Sequence, residues 1–139
     1  MESTVTYPTV ERIIDHNKAV LLLIRVKKAD RPEVLGRQKL VDAIEACKNK
    51  DGDIYDKAVE LLKNLVKKHA FASGNRRTAF VAVGDFLLHN NAAFGVPDDP
   101  SQAKVMTGIR EGFYADVEIK EWIQYGKIRE FKREWKSER

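Results

Sequence analysis

A single cysteine, Cys47, occurs in 139 residues, so no intrachain disulfide can form, and a lone thiol is what a reducing compartment tolerates. No motif surrounds it, and it reads as a small core residue rather than a nucleophile. The three histidines, His16, His69 and His89, lack the close paired spacings of a zinc site. Long apolar runs are also missing. Ala19-Val-Leu-Leu-Leu-Ile24 is far too short to span a bilayer, and Met1-Glu-Ser-Thr-Val-Thr-Tyr7 has neither the basic start nor the apolar run of a signal peptide. A soluble, cytoplasmic protein with no membrane partner is expected. Net positive charge is small outside one end: of the formal +4, residues 127–139 supply +3 through six Lys/Arg against three Glu, which leaves +1 for the rest. A nucleic-acid binder would spread that charge over a face with aromatic side chains interleaved, so a nucleic-acid partner is not expected. That alternative rests only on the pI of about 9.2 and the basic tail.

There is no internal repeat and no strand ladder. What is present is helical periodicity and enough apolar content, 43%, for one domain to bury a core without a structural metal. Pro8-Thr9 opens a helix whose apolar face draws on Val10, Ile13, Ile14 and Ala19 to Ile24, running to about Val26. Lys27 to Lys39, with Arg31-Pro32 and Gly36, reads as a long connection that holds at most a short extended piece. A helix follows from Lys39 to Cys47, then a turn at Asn49-Lys-Asp-Gly-Asp53. Beyond it Ile54, Ala58, Leu61, Leu62, Leu65 and Val66 recur at i, i+4, i+7, i+8, i+11 and i+12, an amphipathic helix that ends close to His69. Ala79 to Leu88 is apolar nearly all round, as a buried central helix would be, with Asn90-Asn91 as its stop. Phe94 to Pro100 is a loop, Ser101 caps a helix from Gln102 to Arg110 that Gly112 ends, and Asp116 caps another to Tyr125. Ile128, Phe131 and Trp135 fall at i, i+3 and i+7 and predict an amphipathic helix in the charged tail. The expected organisation is an all-α helical domain over 1–126 followed by a charged amphipathic tail over 127–139.

Chemistry concentrates between the amphipathic and the buried helix, in His69-Ala-Phe-Ala-Ser-Gly-Asn-Arg-Arg-Thr-Ala79. A glycine and an asparagine just before a helix leave backbone N–H groups free where the helix dipole is positive, which makes an anion cradle of Gly74 and Asn75. Two arginines on the first turn, Arg76 and Arg77, oppose that dipole unless an anion such as a di- or triphosphate lies between them. His69 ends the preceding helix and is placed to take a proton from an attacking hydroxyl. Read plainly, His69 caps a helix, Gly74 turns the chain and the arginines are solvated. The full combination of residue types at these spacings favours the functional reading.

The run resembles the signature of the Fic/Doc family, His-x-Phe-x-Asp/Glu-Gly/Ala-Asn-Gly/Lys-Arg, and Arg77-Thr78-Ala79 resembles its Doc, or death-on-curing, branch. The likeness extends to Ile13-Ile-Asp-His16, Ile54 to Leu62, Phe86-Leu-Leu-His-Asn90, Gly108 to Gly112 and Ile119 to Ile123, and so covers roughly residues 8–124. The resemblance implies the Fic-fold helical bundle and transfer of part of a nucleotide, ATP or another nucleoside triphosphate, to a hydroxyl of a target protein. It puts the catalytic roles of general base on His69 and phosphate clamp on Arg77. Phe71 becomes the structural anchor of the loop, with Gly74, Asn75, Arg76 and Arg77 binding phosphate. Arg76 stands where adenylyl-transferring members have Gly and Doc-like members Lys, which implies transfer of a terminal phosphate, with adenylyl transfer as the alternative. A Doc-like toxin would act on a target protein in translation, such as a translation factor, and be held by an antitoxin. The tail would dock on such an acidic partner or on the domain itself. Thr107 to Gly112 also fits the pattern of the family's autoinhibitory helix, a match read as coincidence.

One departure bears on activity. Ser73 replaces the Asp or Glu that holds Mg²⁺ in the family, and a neutral hydroxyl is a poor ligand for that ion. Loss of a metal anchor costs phosphoryl transfer about several kcal/mol unless other groups compensate. An active transferase and a catalytically degenerate binding or regulatory module therefore both stand open. Phe80 replaces the second arginine of adenylyl-transferring members, an absence that Doc-like members share.

Overall fold

Six helices follow one another in the computed structural model, which describes residues 4–24 and 32–132: α1 (Val10–Ile24), α2 (Arg37–Asn49), α3 (Ile54–Lys68), α4 (Asn75–His89), α5 (Ala103–Arg110) and α6 (Asp116–Tyr125). The architecture is all-α. The one extended feature among the described residues is an isolated bridge between Val34 and Phe71, within the connection expected to hold a short extended piece.

α3 shows how local chemistry starts an element. The Asp53 carboxylate accepts the amides of Tyr55 and Asp56, each at 3.0 Å, and the Asp53 amide donates to Asp56 at 2.9 Å, a reciprocal cap that satisfies otherwise orphaned donors. The helix then buries Ala58, Val59, Leu61, Leu62, Leu65 and Val66. Val59 lies outside the single apolar stripe because α3 packs against α2, α4, α5 and α6 at once. α4 packs against α1, α3 and α5, so the centre of the bundle is a pair of helices rather than one. α4 also begins at Asn75, four residues before its apolar run, which places Asn75 to Thr78 on its first turn.

Elsewhere the structure revises the local expectations. Asp99, not Ser101, opens the next element, accepting the Ser101 amide at 2.8 Å ahead of a 3₁₀ turn over Pro100–Gln102. Ala115 precedes α6 and donates its amide to Glu118 at 2.9 Å, so Asp116 is the first helical residue and not the cap. Along α1 the face that packs is Ile13, Asn17, Val20 and Leu21, while Leu22 and Leu23 are exposed. Cys47 is buried, and burial pushes its thiol up to about 12, as befits an inert core residue.

The tail helix does not form over residues 127–132. Gly126 takes a left-handed φ of 75° and ends α6, and the following residues run beside α5 with separate side-chain contacts in place of a helical ladder. The Arg129 guanidinium lies 4.1 Å from the centre of the Phe113 ring and pairs with Glu118, while the Arg129 carbonyl accepts from the Tyr114 hydroxyl at 2.9 Å. Phe131 packs edge-on against Phe113 at 5.0 Å. Trp135 lies outside the described residues.

His16 and His89, neither expected to be catalytic, both meet one carboxylate. Asp85 on α4 is gripped by both arms of Arg12 on α1, with His16 Nε2 and His89 Nδ1 each at 3.2 Å. The Arg12 guanidinium, helped by His16, holds the Asp85 carboxyl below the usual carboxylate range, against the opposing effect of burial. A carboxyl depressed by folding adds stability that is present above its unfolded value, about 3.9, and is lost as pH falls through the lower folded value. Asp85→Asn is therefore expected to lower the melting temperature by roughly 5 °C at neutral pH. The gap from the native chain should close as pH falls through the lowered folded value, where Asp85 itself becomes protonated. Thermal melts of both chains across the acid range check this, and an equal gap at all pH values would exclude the ion-pair origin.

Candidate functional site

The loop between α3 and α4 is held at four points. α3 ends at His69, which takes a left-handed conformation (φ 54°, ψ 57°) and turns the chain back. Next, the backbone of residues 70–72 is bound to residues 33–36: Leu35 N donates to Ala70 O at 2.8 Å and Ala72 N to Glu33 O at 3.0 Å. Between those bonds Phe71 is only 2% exposed, within the core. Third, the Asn75 side chain closes the loop on Phe71, accepting its amide at 3.0 Å and donating to its carbonyl at 2.8 Å.

The fourth hold comes from a residue the motif does not contain. Asn17 on α1 is 1% exposed and donates to the Ser73 carbonyl at 2.9 Å and to the Thr78 hydroxyl, itself 1% exposed, at 3.1 Å. A buried amide with both hydrogens placed in this way fixes where the loop passes into α4. A signal for it existed: Asn17 is the polar member of the Ile13, Val20, Leu21 stripe, and a polar residue on a buried face requires a partner. Gly74 sits beside it at φ 77°, where a side chain would be strained, and a Cβ there would lie 3.1 Å from Leu21.

These holds leave the start of α4 bare. Gly74 provides no side-chain cap, and the first helical bond runs from Thr78 N to Gly74 O at 2.8 Å. Among the described residues no oxygen takes up the amides of Asn75, Arg76 and Arg77, so three N–H groups and the positive end of the helix dipole face outward. They face a cavity of about 600 Å³ bordered by Gly74, Arg76, Arg77, Phe80, Asp98 and Met106.

The side chains of the loop are committed within the chain. The Asn75 side-chain amide is engaged on Phe71, which leaves its backbone N–H beside the cavity. Both arginines have partners within the chain. Arg76 Nη1 donates to the Thr107 hydroxyl at 2.8 Å, and Arg77 makes a two-pronged pair with Asp98 at 2.6 and 2.7 Å while lying 5.4 Å from the centre of the Phe80 ring. Arg77 holds the Asp98 carboxyl below its ordinary range, and Asp98 in turn raises the guanidinium. Asp98 is thus a second residue that motif reading missed, 21 positions from its partner. Thr107, part of the apparent autoinhibitory pattern, serves Arg76 instead.

His69 is exposed and does not border the cavity. It reaches the cradle through Asn75, whose Nδ2 lies 3.3 Å from His69 Nδ1. The Asn75 amide cannot be flipped without losing both bonds to Phe71, so Nδ2 is the donor and Nδ1 carries the imidazole lone pair. That nitrogen is the one able to receive a proton, in exchange for this long contact.

The donors near the cradle do not suit a hard divalent cation, which prefers carboxylate and phosphate oxygens. Ser73 offers a neutral hydroxyl, Asp98 is matched to Arg77, and Asp99 caps the 3₁₀ turn. Among the described residues no helix is long and apolar enough to cross a membrane.

The pattern of the Fic/DOC family matches residues 14–87, from α1 through most of α4 and including the whole cradle. The chain is also 37% identical over 51 residues, 37% of its length, to the Toxin Doc of Mycolicibacterium smegmatis, and that match spans 39% of the relative. With more than half of its residues covered by the family pattern, and with the helical bundle to go with it, the chain belongs to the Fic/DOC family.

Proposed function

We propose that the chain is a Doc-type toxin that transfers the terminal phosphoryl group of a nucleoside triphosphate to a hydroxyl of a target protein. The observation that carries this reading is the bare first turn of α4, with three outward amides beside Arg76 and Arg77 over a cavity large enough for a nucleotide. The target hydroxyl oxygen forms a bond to the γ-phosphorus as the bond from that phosphorus to the β-bridging oxygen breaks. The hydroxyl proton passes to His69 Nδ1, and the nucleoside diphosphate leaves. Cations and amides already in place stabilise the charge spread over the phosphoryl oxygens, which is where most of the catalysis of this step resides. The similarity to a relative named as a toxin supports control by an antitoxin, and a target in translation is what the resemblance to the Doc branch implies. Both rest on the family, not on a contact in this chain.

Ser73 favours a second reading, in which the fold keeps the anion cradle but serves as a binding or regulatory module. Adenylyl transfer is disfavoured because Arg76, a bulky cation, takes the place of the small residue found in members that transfer the nucleotide itself. Incubation with a cell extract and either γ-labelled or α-labelled ATP separates the three. Label on a protein band from γ-labelled ATP alone is expected. Label from the α position makes the chain an adenylyl transferase, and none from either, with nucleotide still bound, makes it a binding module. Under the first outcome Ser73→Asp raises the rate if the missing carboxylate limits it.

A further inference from the structure

Arg77 already holds an anion, and that anion belongs to the protein. We propose that Asp98 is a specificity-determining residue of the cradle: it fills the Arg77 fork as an internal oxyanion and yields only to a ligand with two adjacent anionic oxygens, such as the phosphoryl groups of a nucleoside di- or triphosphate. The inference rests on the anion-binding reading of the site above.

Three features of the loop between α4 and the 3₁₀ turn support it. Asp98 is presented by a backbone fixed on both sides. Upstream, Gly95 N donates to Ile123 O at 2.7 Å, a Cβ at Gly95 would come within 2.2 Å of the Gln124 carbonyl oxygen, and Val96 is buried. Downstream, Asp99 is tied to the Ser101 amide. Asp98 therefore does not reach Arg77 by loop disorder; the fold delivers it there. Next, the pair matches two oxygens to two guanidinium nitrogens at 2.6 and 2.7 Å, the same fork that recognises a phosphate edge. Chloride, a single spherical charge, lacks the two separate oxygens that match those two nitrogens. Lastly, the Asp98 side chain is 64% exposed and that of Arg77 41% exposed. Exposed pairs are weak, so a multiply charged ligand that also collects the α4 amides can displace the carboxylate, which then turns into solvent. Arg77 itself stays over Phe80, and the ligand comes to it. Arg76 has only a neutral hydroxyl partner among the described residues, so its charge is available throughout.

Titration calorimetry of the full chain with inorganic pyrophosphate tests this, comparing native protein, Asp98→Asn, Asp98→Ala and Arg77→Ala at low and high chloride. Both Asp98 variants are expected to bind pyrophosphate on the order of 10-fold tighter than native at low chloride, since the competitor and its repulsion of the ligand are both removed. They should also lose more affinity in high chloride than native does, because the fork is open to single-point anions. Arg77→Ala should bind weakest. Affinity in both Asp98 variants equal to or below native overturns the role of Asp98 and leaves the cradle standing. If neither native protein nor any variant binds pyrophosphate, the anion-binding reading falls and this inference with it. Melting curves of the variants report whether the exposed substitutions leave the fold intact.

Discussion

Trp122→Ala is expected to cost about 4 kcal/mol of folding stability and roughly 10–15 °C in melting temperature. Trp122 is fully buried, and its indole N–H donates to Gln102 at 3.0 Å. It stands on α6 among core residues where α6 packs on α3, so truncation opens a cavity that neighbouring helices cannot close without moving. The effect reaches the site, because Gln102 belongs to the 3₁₀ turn that walls the nucleotide-sized cavity. Trp122→Phe should recover much of the volume term while leaving Gln102 without its donor. It should fall between native and alanine in a denaturant titration. A shift of only a degree or two for alanine would mean that the α6 contact is not part of the core.

Loss of the base is the largest effect expected on activity. If His69 takes the hydroxyl proton, His69→Ala lowers phosphoryl transfer by roughly 10²- to 10⁴-fold, the usual worth of a positioned general base. His69→Asn is the sharper variant. Asparagine tolerates the left-handed backbone at φ 54° and can still bond to Asn75, so the loop should hold its shape while proton uptake is lost. Transfer rates measured with γ-labelled ATP should fall alike in both variants, with melting temperatures close to native. Undiminished transfer in either would remove His69 from the chemistry and point to another acceptor for the proton.

Much of this molecule was legible in one dimension. The periods of α1 and α3 are visible as stripes, because a helix that packs on one side must repeat its apolar residues about every 3.6 positions. The cradle was legible for a similar reason: His69, Gly74, Asn75, Arg76 and Arg77 lie within nine residues, and a helix start brings near neighbours into one place whatever surrounds it. Periodicity misled where side chains were claimed by different partners. Ile128 and Phe131 have helical spacing, but the chain around them forms no helix and is tied instead to Tyr114, Glu118 and Phe113. Val59 broke the stripe of α3 because that helix is covered on more than one side.

Local spacing thus settled the all-α class, the order of the helices and the position of the uncapped turn that opens α4, since each depends on residues within a turn or two of one another. Folding in three dimensions supplied the rest: Asn17 beneath Ser73, 56 residues away, the shared Asp85 between two histidines, and Asp98 in the fork of Arg77. Hydrogen bonds and ion pairs act over about 3 Å. Which distant side chains come within that reach is decided by how the helices pack, and no short stretch of sequence encodes it.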